Sequence, residues 1–125
     1  MRNYTVTDTK KNRYQDAGNS GGPSREDNHP YRRQHGLSAW DDFGNTPIPE
    51  PFLRFEDFPG LSKQQLDTFY RAGFQNPTPI QAQTWPIAMQ ERDVVSIAKT
   101  GSGKTLAFLL PAYKKIDRVS GNFLL

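Results

Sequence analysis

The sequence predicts an α/β protein with an incomplete parallel sheet, preceded by an unstructured N-terminal segment. Three observations carry this. Val94-Val95-Ser96-Ile97-Ala98 is a short β-branched run typical of a buried strand. A loop, Thr100-Gly101-Ser102-Gly103, follows it, and then a stretch from Lys104 to about Lys114 that is apolar nearly all round. Before about Glu50, by contrast, apolar residues are scattered without the period of a helix or a strand.

The 125 residues suffice for one small domain at most. Ten glycines, ten prolines and 34% hydrophobic residues point to a soluble chain with a large unstructured share. With no cysteine, neither a disulfide framework nor a thiolate metal site is possible. Met1-Arg2-Asn3-Tyr4-Thr5 leads into no apolar run, so a secretory signal is not expected. These features fit a nuclear or cytoplasmic protein rather than a secreted one. No stretch is long and apolar enough to span a membrane, so no membrane partner is expected. The net charge of +3 is compatible with a polyanionic partner without demanding one. Lys10-Lys11-Asn12-Arg13 and Arg32-Arg33 are offset by Asp8, Asp16, Glu26, Asp27, Asp41 and Asp42, which reads as a solvated tail. His29 and His35 have no ligand pattern around them.

Along the chain, residues 1–50 read as a disordered tail and residues 51–125 as the folded part. Gly18-Asn19-Ser20-Gly21-Gly22-Pro23-Ser24 is linker-like. Trp40 and Phe43 mark where the tail begins to lie on the folded part, and Pro47, Pro49 and Pro51 give an extended approach. Ser62 is placed as an N-cap with Gln65 completing a capping box, and Leu61 and Leu66 as a hydrophobic staple. Leu66, Phe69 and Tyr70 form the apolar stripe of this helix. Gly73 suits its left-handed C-terminal position, with Phe74 packing back on Phe69. A second helix starts at once, with Thr78 as N-cap, Pro79 in the first position and Gln81 in the third. Pro86 should kink or shorten it, and Pro111 should kink the C-terminal helix.

Ala98-Lys99-Thr100-Gly101-Ser102-Gly103-Lys104-Thr105 fits the Walker A pattern except in its first place, where alanine replaces glycine. Glycines let the backbone wrap a phosphate chain so that several N–H groups point inward, and the helix N-terminus beyond adds partial positive charge. Lys104 is placed to neutralise β- and γ-phosphates, and Thr105 to give its hydroxyl to Mg²⁺. The relaxed pattern arises by chance in roughly 1 in 100 chains this long. A strand before it and a helix after it are the context that makes it specific.

Gly73-Phe74-Gln75-Asn76-Pro77-Thr78-Pro79-Ile80-Gln81 ends seventeen residues before Ala98. Here the chain resembles DEAD-box RNA helicases. This stretch looks like their Q motif, and Ala98 to Thr105 like their motif I, over a likeness running from about Phe52 to Arg118. The resemblance implies a partial RecA-like P-loop domain, with ATP and Mg²⁺ as cofactors and RNA as the partner of the complete enzyme. It implies that Gln81 reads adenine through paired hydrogen bonds, a role its amide suits with one donor and one acceptor side. An upstream aromatic would stack on the base, with Phe55 the candidate and Phe58 nearby. Backbone around Phe74, Gln75 and Asn76 would line the base site. Gln81 also completes the Thr78 capping box, so the two roles can coexist. Lys99 reads as a solvated loop residue.

The resemblance also requires an Asp-Glu pair and arginines from a second domain, and no Asp-Glu-Ala-Asp sequence occurs here. P-loop catalysis needs several such elements acting together. The leading expectation is therefore the ATP-binding portion of a DEAD-box helicase, an N-terminal piece of a larger enzyme. The alternative is a short non-catalytic product that binds nucleotide or a partner. Another kind of P-loop ATPase is disfavoured by the Gln81 element. With one strand in view, Leu106, Leu109, Leu110 and Phe123 would lack partners. The chain alone is expected to be marginally folded and its last helix prone to aggregate.

Overall fold

Three strands form one sheet in the computed structural model, which describes residues 3–8, 29–42, 47–99 and 101–120, the last four by backbone alone. They are β1 (Asn3–Asp8), β2 (Leu37–Asp41) and β3 (Asp93–Ile97), in the order β2-β1-β3. β1 runs antiparallel to β2, with Val6 opposite Ala39, and parallel to β3, with Val6 opposite Ser96. The sheet is therefore mixed rather than wholly parallel. Among the described residues, four α-helices accompany it: α1 (Pro30–His35), α2 (Lys63–Arg71), α3 (Pro79–Met89) and α4 (Lys104–Ser120). None of them is long and apolar enough to cross a membrane.

Two of the three strands lie in the segment expected to be disordered, and that expectation is corrected for residues 3–8 and 29–42. Tyr4 and Val6 alternate with Thr5 and Thr7, a period-two pattern of strand-favouring residues. Their side chains are buried against Leu37, Ile80 and Ile87. Burial of residues this size stabilises by about 1.5–3 kcal/mol each. The linker-like run 18–24 and Phe43 lie outside the described residues. Trp40 stands in β2, half-buried.

The helix starts follow the sequence closely. Ser62 accepts from the Gln65 N–H at 3.1 Å while Gln65 Oε1 accepts from the Ser62 N–H at 2.9 Å, closing the capping box of α2. At its other end the Gly73 N–H donates to Tyr70 O and the Phe74 N–H to Phe69 O, both at 3.1 Å. These are the paired bonds of a Schellman cap, made possible by φ +90° at Gly73. Leu61 and Leu66 pack on the same aromatic cluster, as a staple requires.

Pro86 neither shortens α3 nor ends it; the helix runs on to Met89. A proline withholds the N–H that would reach the carbonyl four residues back. Here that carbonyl, on Ala82, accepts from the Phe52 N–H at 2.8 Å. Gln83 adds a second tie by donating to the Pro49 carbonyl at 2.9 Å, and buried Arg32 donates to Gln83 Oε1 at 2.9 Å. The extended, proline-rich segment is thus laid on α3.

α4 continues through Pro111 and differs from expectation in its exposure. Ala107 and Leu110 are buried, and Leu106 packs with the cluster of Phe55, Phe58 and Trp85. Phe108, Leu109, Tyr113 and Ile116 face outward. Leu106 and Leu110 therefore have partners, Leu109 is 59% exposed, and Phe123 lies outside the described residues. On the sheet, Val95 and Ile97 are exposed on the side away from α3.

Candidate functional site

The candidate site is built where β3 ends and α4 begins. Ala98 and Lys99 leave the strand, and Gly101-Ser102-Gly103 turn the chain into α4 at Lys104. Gly101 and Gly103 sit at φ +86° and +88°, a conformation that residues with a Cβ rarely adopt. The Ser102 N–H donates to the Lys99 carbonyl at 3.3 Å, closing the turn. Thr100 lies outside the described residues. Lys104 is exposed, with Nζ 3.4 Å from the Ala98 carbonyl, so its ammonium group folds back over the turn. The Thr105 side chain is exposed in the first turn of α4.

Gln81 joins this turn to the start of α3. Its Oε1 accepts from the Thr78 N–H at 3.0 Å, and its own N–H donates to Thr78 Oγ1 at 3.4 Å, which completes the expected capping box. Its Nε2 donates to the Gly103 carbonyl at 3.1 Å. A primary amide has two N–H bonds and two lone pairs on its oxygen, so one donor and one acceptor direction remain. The contact is close. A Cβ added at Gly103 would lie 2.4 Å from Gln81 Nε2 and 2.8 Å from Thr78 Oγ1. Glycine is required there by space as well as by backbone angle.

The ring of Phe55 is not available to a base. It is 1% exposed and stacks on Phe69 at 4.6 Å, with Tyr70 at 5.9 Å and Trp85 at 6.2 Å. Phe58 is equally buried, edge-on to Trp85. The stacking role expected of Phe55 is therefore corrected: an aromatic at that point in the sequence fills the core between α2 and α3. Phe74, by contrast, is 52% exposed, and Gln75 and Asn76 after it are exposed as well. They lead through buried Pro77 to Thr78 and Gln81.

A nucleotide would need polar groups on the turn with unfilled hydrogen-bonding capacity. Ser102 Oγ is buried and has no hydrogen-bond partner among the described residues. Together with the turning backbone and Lys104, it fits a phosphate-bearing ligand. Sequence reasoning missed two further contacts. Trp85 Nε1 donates to the Leu106 carbonyl at 3.3 Å, and Thr84 Oγ1 lies 2.8 Å from Ser96 Oγ in the buried interface of α3 with β3. The four-residue spacing of Gln81 and Trp85, which puts both on one helix face, was the signal available.

Strand, glycine turn and helix, with a capping glutamine against the turn, make this an α/β protein of the strand–loop–helix class. Residues 78–125 match the family model described as DEAD/DEAH box helicase. Over 83 residues the chain is 53% identical to "DEAD-box ATP-dependent RNA helicase 40" of Arabidopsis thaliana, covering 66% of this chain and 7% of that protein. It is 41% identical over 108 residues to "DEAD-box ATP-dependent RNA helicase 20" of Oryza sativa subsp. japonica, covering 86% and 21%. To the human "Probable ATP-dependent RNA helicase DDX43" it is 36% identical over 107 residues, covering 83% and 16%. The chain belongs to the DEAD-box helicase family, and it spans about a fifth or less of the length of these relatives.

Proposed function

We propose that this chain holds the ATP-binding portion of a DEAD-box RNA helicase, in a RecA-like domain that further strands complete. The observation that carries the reading is the position of Gln81, fixed between the Thr78 N–H and the Gly103 carbonyl at the edge of the glycine turn. An amide held there, with one donor and one acceptor direction left, matches the N6 and N7 edge of adenine. Phe74 replaces Phe55 as the aromatic that offers a face to the base, because it is exposed and precedes the capping box. The backbone of Gly101, Ser102 and Gly103 cradles phosphate, and Lys104 neutralises the β- and γ-phosphates. Thr105 would give its hydroxyl to Mg²⁺, which would offset the negative charge of the phosphates.

The RecA-like reading is supported by what β3 leaves uncovered. Parallel sheets are ordinarily covered on both faces, whereas Val95 and Ile97 are exposed. Within the complete enzyme, ATP use would be coupled to opening of RNA duplexes. A second reading has its own support: the 125 residues contain no Asp-Glu-Ala-Asp sequence, so this chain by itself would bind nucleotide without hydrolysing it.

The test is titration of the chain with fluorescent ATP and GTP analogues, beside a Gln81→Ala variant. The wild type should prefer ATP, and the variant should lose most of that preference. Equal binding of the two bases by the wild type would sink the reading.

A further inference from the structure

Gln81 and Trp85 stand one turn apart on α3 and reach the same neighbour. Gln81 Nε2 donates to the Gly103 carbonyl and Trp85 Nε1 to the Leu106 carbonyl, 3.1 and 3.3 Å away. The acceptors are three residues apart, so the two bonds form consecutive rungs between α3 and the first turn of α4. Lys104 and Thr105 lie between the rungs in sequence.

The rungs differ in kind. Gln81 is the group proposed to read a base, so its bond to Gly103 must share the amide with the ligand. Trp85 has one donor and no other role for it. Its ring is fully buried, edge-on to Phe58 at 5.3 Å and tilted on Phe55 at 6.2 Å. Packing therefore sets the aim of the indole N–H, and a buried indole N–H needs its partner. Thr84 and Ser96 pin α3 to β3 in the same stretch.

We propose that Trp85 is a positioning residue for nucleotide binding: its N–H holds the first turn of α4, with Lys104 and Thr105, in register with Gln81. This rests on the nucleotide site proposed above. Affinity for the phosphate chain then depends on a residue that touches no part of the ligand.

Trp85→Phe removes the N–H and keeps a ring in the aromatic cluster. Dissociation constants of ATP and GTP analogues are measured by ligand fluorescence at a temperature where circular dichroism shows the variant folded. Both affinities should fall by the same factor, about threefold to tenfold for one net hydrogen bond, leaving the ATP to GTP ratio unchanged. Should phenylalanine prevent folding, benzothienylalanine at position 85 replaces the N–H with sulfur in the same shape, with the same expectation. A merely structural tryptophan would give a lower melting temperature with both constants unmoved, which overturns the proposal. A fall for ATP alone also overturns it. If the wild type binds neither nucleotide, the site reading and this inference fall together. If the wild type prefers ATP and the position-85 variants bind as it does, only this inference falls.

Discussion

The Phe52 N–H donates to the Ala82 carbonyl at 2.8 Å, and that carbonyl is free because Pro86 stands four residues on. What looks from sequence like a helix defect is the docking point for the segment that precedes the 3₁₀ turn Phe55–Asp57. Buried Pro51 and half-buried Phe52 follow from it, and the Gln83 bond to Pro49 continues the same attachment.

Replacing Pro86 with alanine should stabilise far less than a helix-interior proline usually costs. That usual cost is about 3 kcal/mol. Here the backbone N–H restored at position 86 would compete with Phe52 for one carbonyl. Urea denaturation should show a change within about 1 kcal/mol, the size of one net hydrogen bond. A gain near the full amount would mean that the Phe52 bond contributes nothing.

The two glycines of the turn should respond unequally to alanine. Both have positive φ, so each substitution carries backbone strain of about 1 kcal/mol. An added Cβ at Gly101 meets nothing within 4 Å, whereas at Gly103 it meets Gln81 and Thr78. Gly103→Ala should therefore cost clearly more stability and lose ATP binding, since it displaces the Gln81 amide. Equal melting temperatures for the two variants would contradict the crowding at Gly103.

Val6→Ala tests whether the N-terminal strand belongs to the core. Val6 is fully buried against α3 and lies between two partner strands. Truncation should cost about 1–3 kcal/mol by chemical denaturation. A tail residue would change stability by a few tenths at most.

The contact of Tyr70 with Glu56 gives stability a pH signature. The Tyr70 hydroxyl donates to Glu56 Oε1. This bond, and then a backbone hydrogen bond, lowers the Glu56 pKa, and the same side-chain bond raises that of Tyr70. A carboxyl lowered on folding stabilises above its unfolded pKa and ceases to as pH falls through the folded one. A phenol raised on folding stabilises below its unfolded pKa and ceases to as pH rises through the folded one. The melting-temperature deficit of Tyr70→Phe should thus be largest near neutrality. It should shrink below about pH 4 and above about pH 10. A deficit constant from about pH 3 to about pH 10.5 would exclude the contact.

Local signals in the sequence translated directly into structure. The Ser62–Gln65 and Thr78–Gln81 boxes, Gly73 and the run into β3 each depend on residues within a few positions, and each is formed. What sequence reading lost was non-local. Asn3–Asp8 carries the alternation of a strand, but its value as one depends on Val94 and Val95, about 90 residues away. Phe55 shows the same limit at the site. A phenylalanine reads alike whether it stacks on a base or on Phe69, and only burial separates the two. The dual use of Gln81, as cap and as tie to Gly103, was half legible, because a capping box announces itself and a contact across 22 positions does not.

From Ile80 to Ile87 every residue of α3 is buried, including the two glutamines Gln81 and Gln83. A surface helix has a wet side on which substitutions drift without consequence; this one has eight consecutive positions with no such side. Its mutational tolerance should be correspondingly narrow, set along its length by four kinds of neighbour: the glycine turn, the sheet, the aromatic cluster and the N-terminal segment. A saturation library across α3 would therefore return not the usual helical rhythm of permissive and forbidden sites but an unbroken block of intolerance, which would mark this helix as the keystone of the chain.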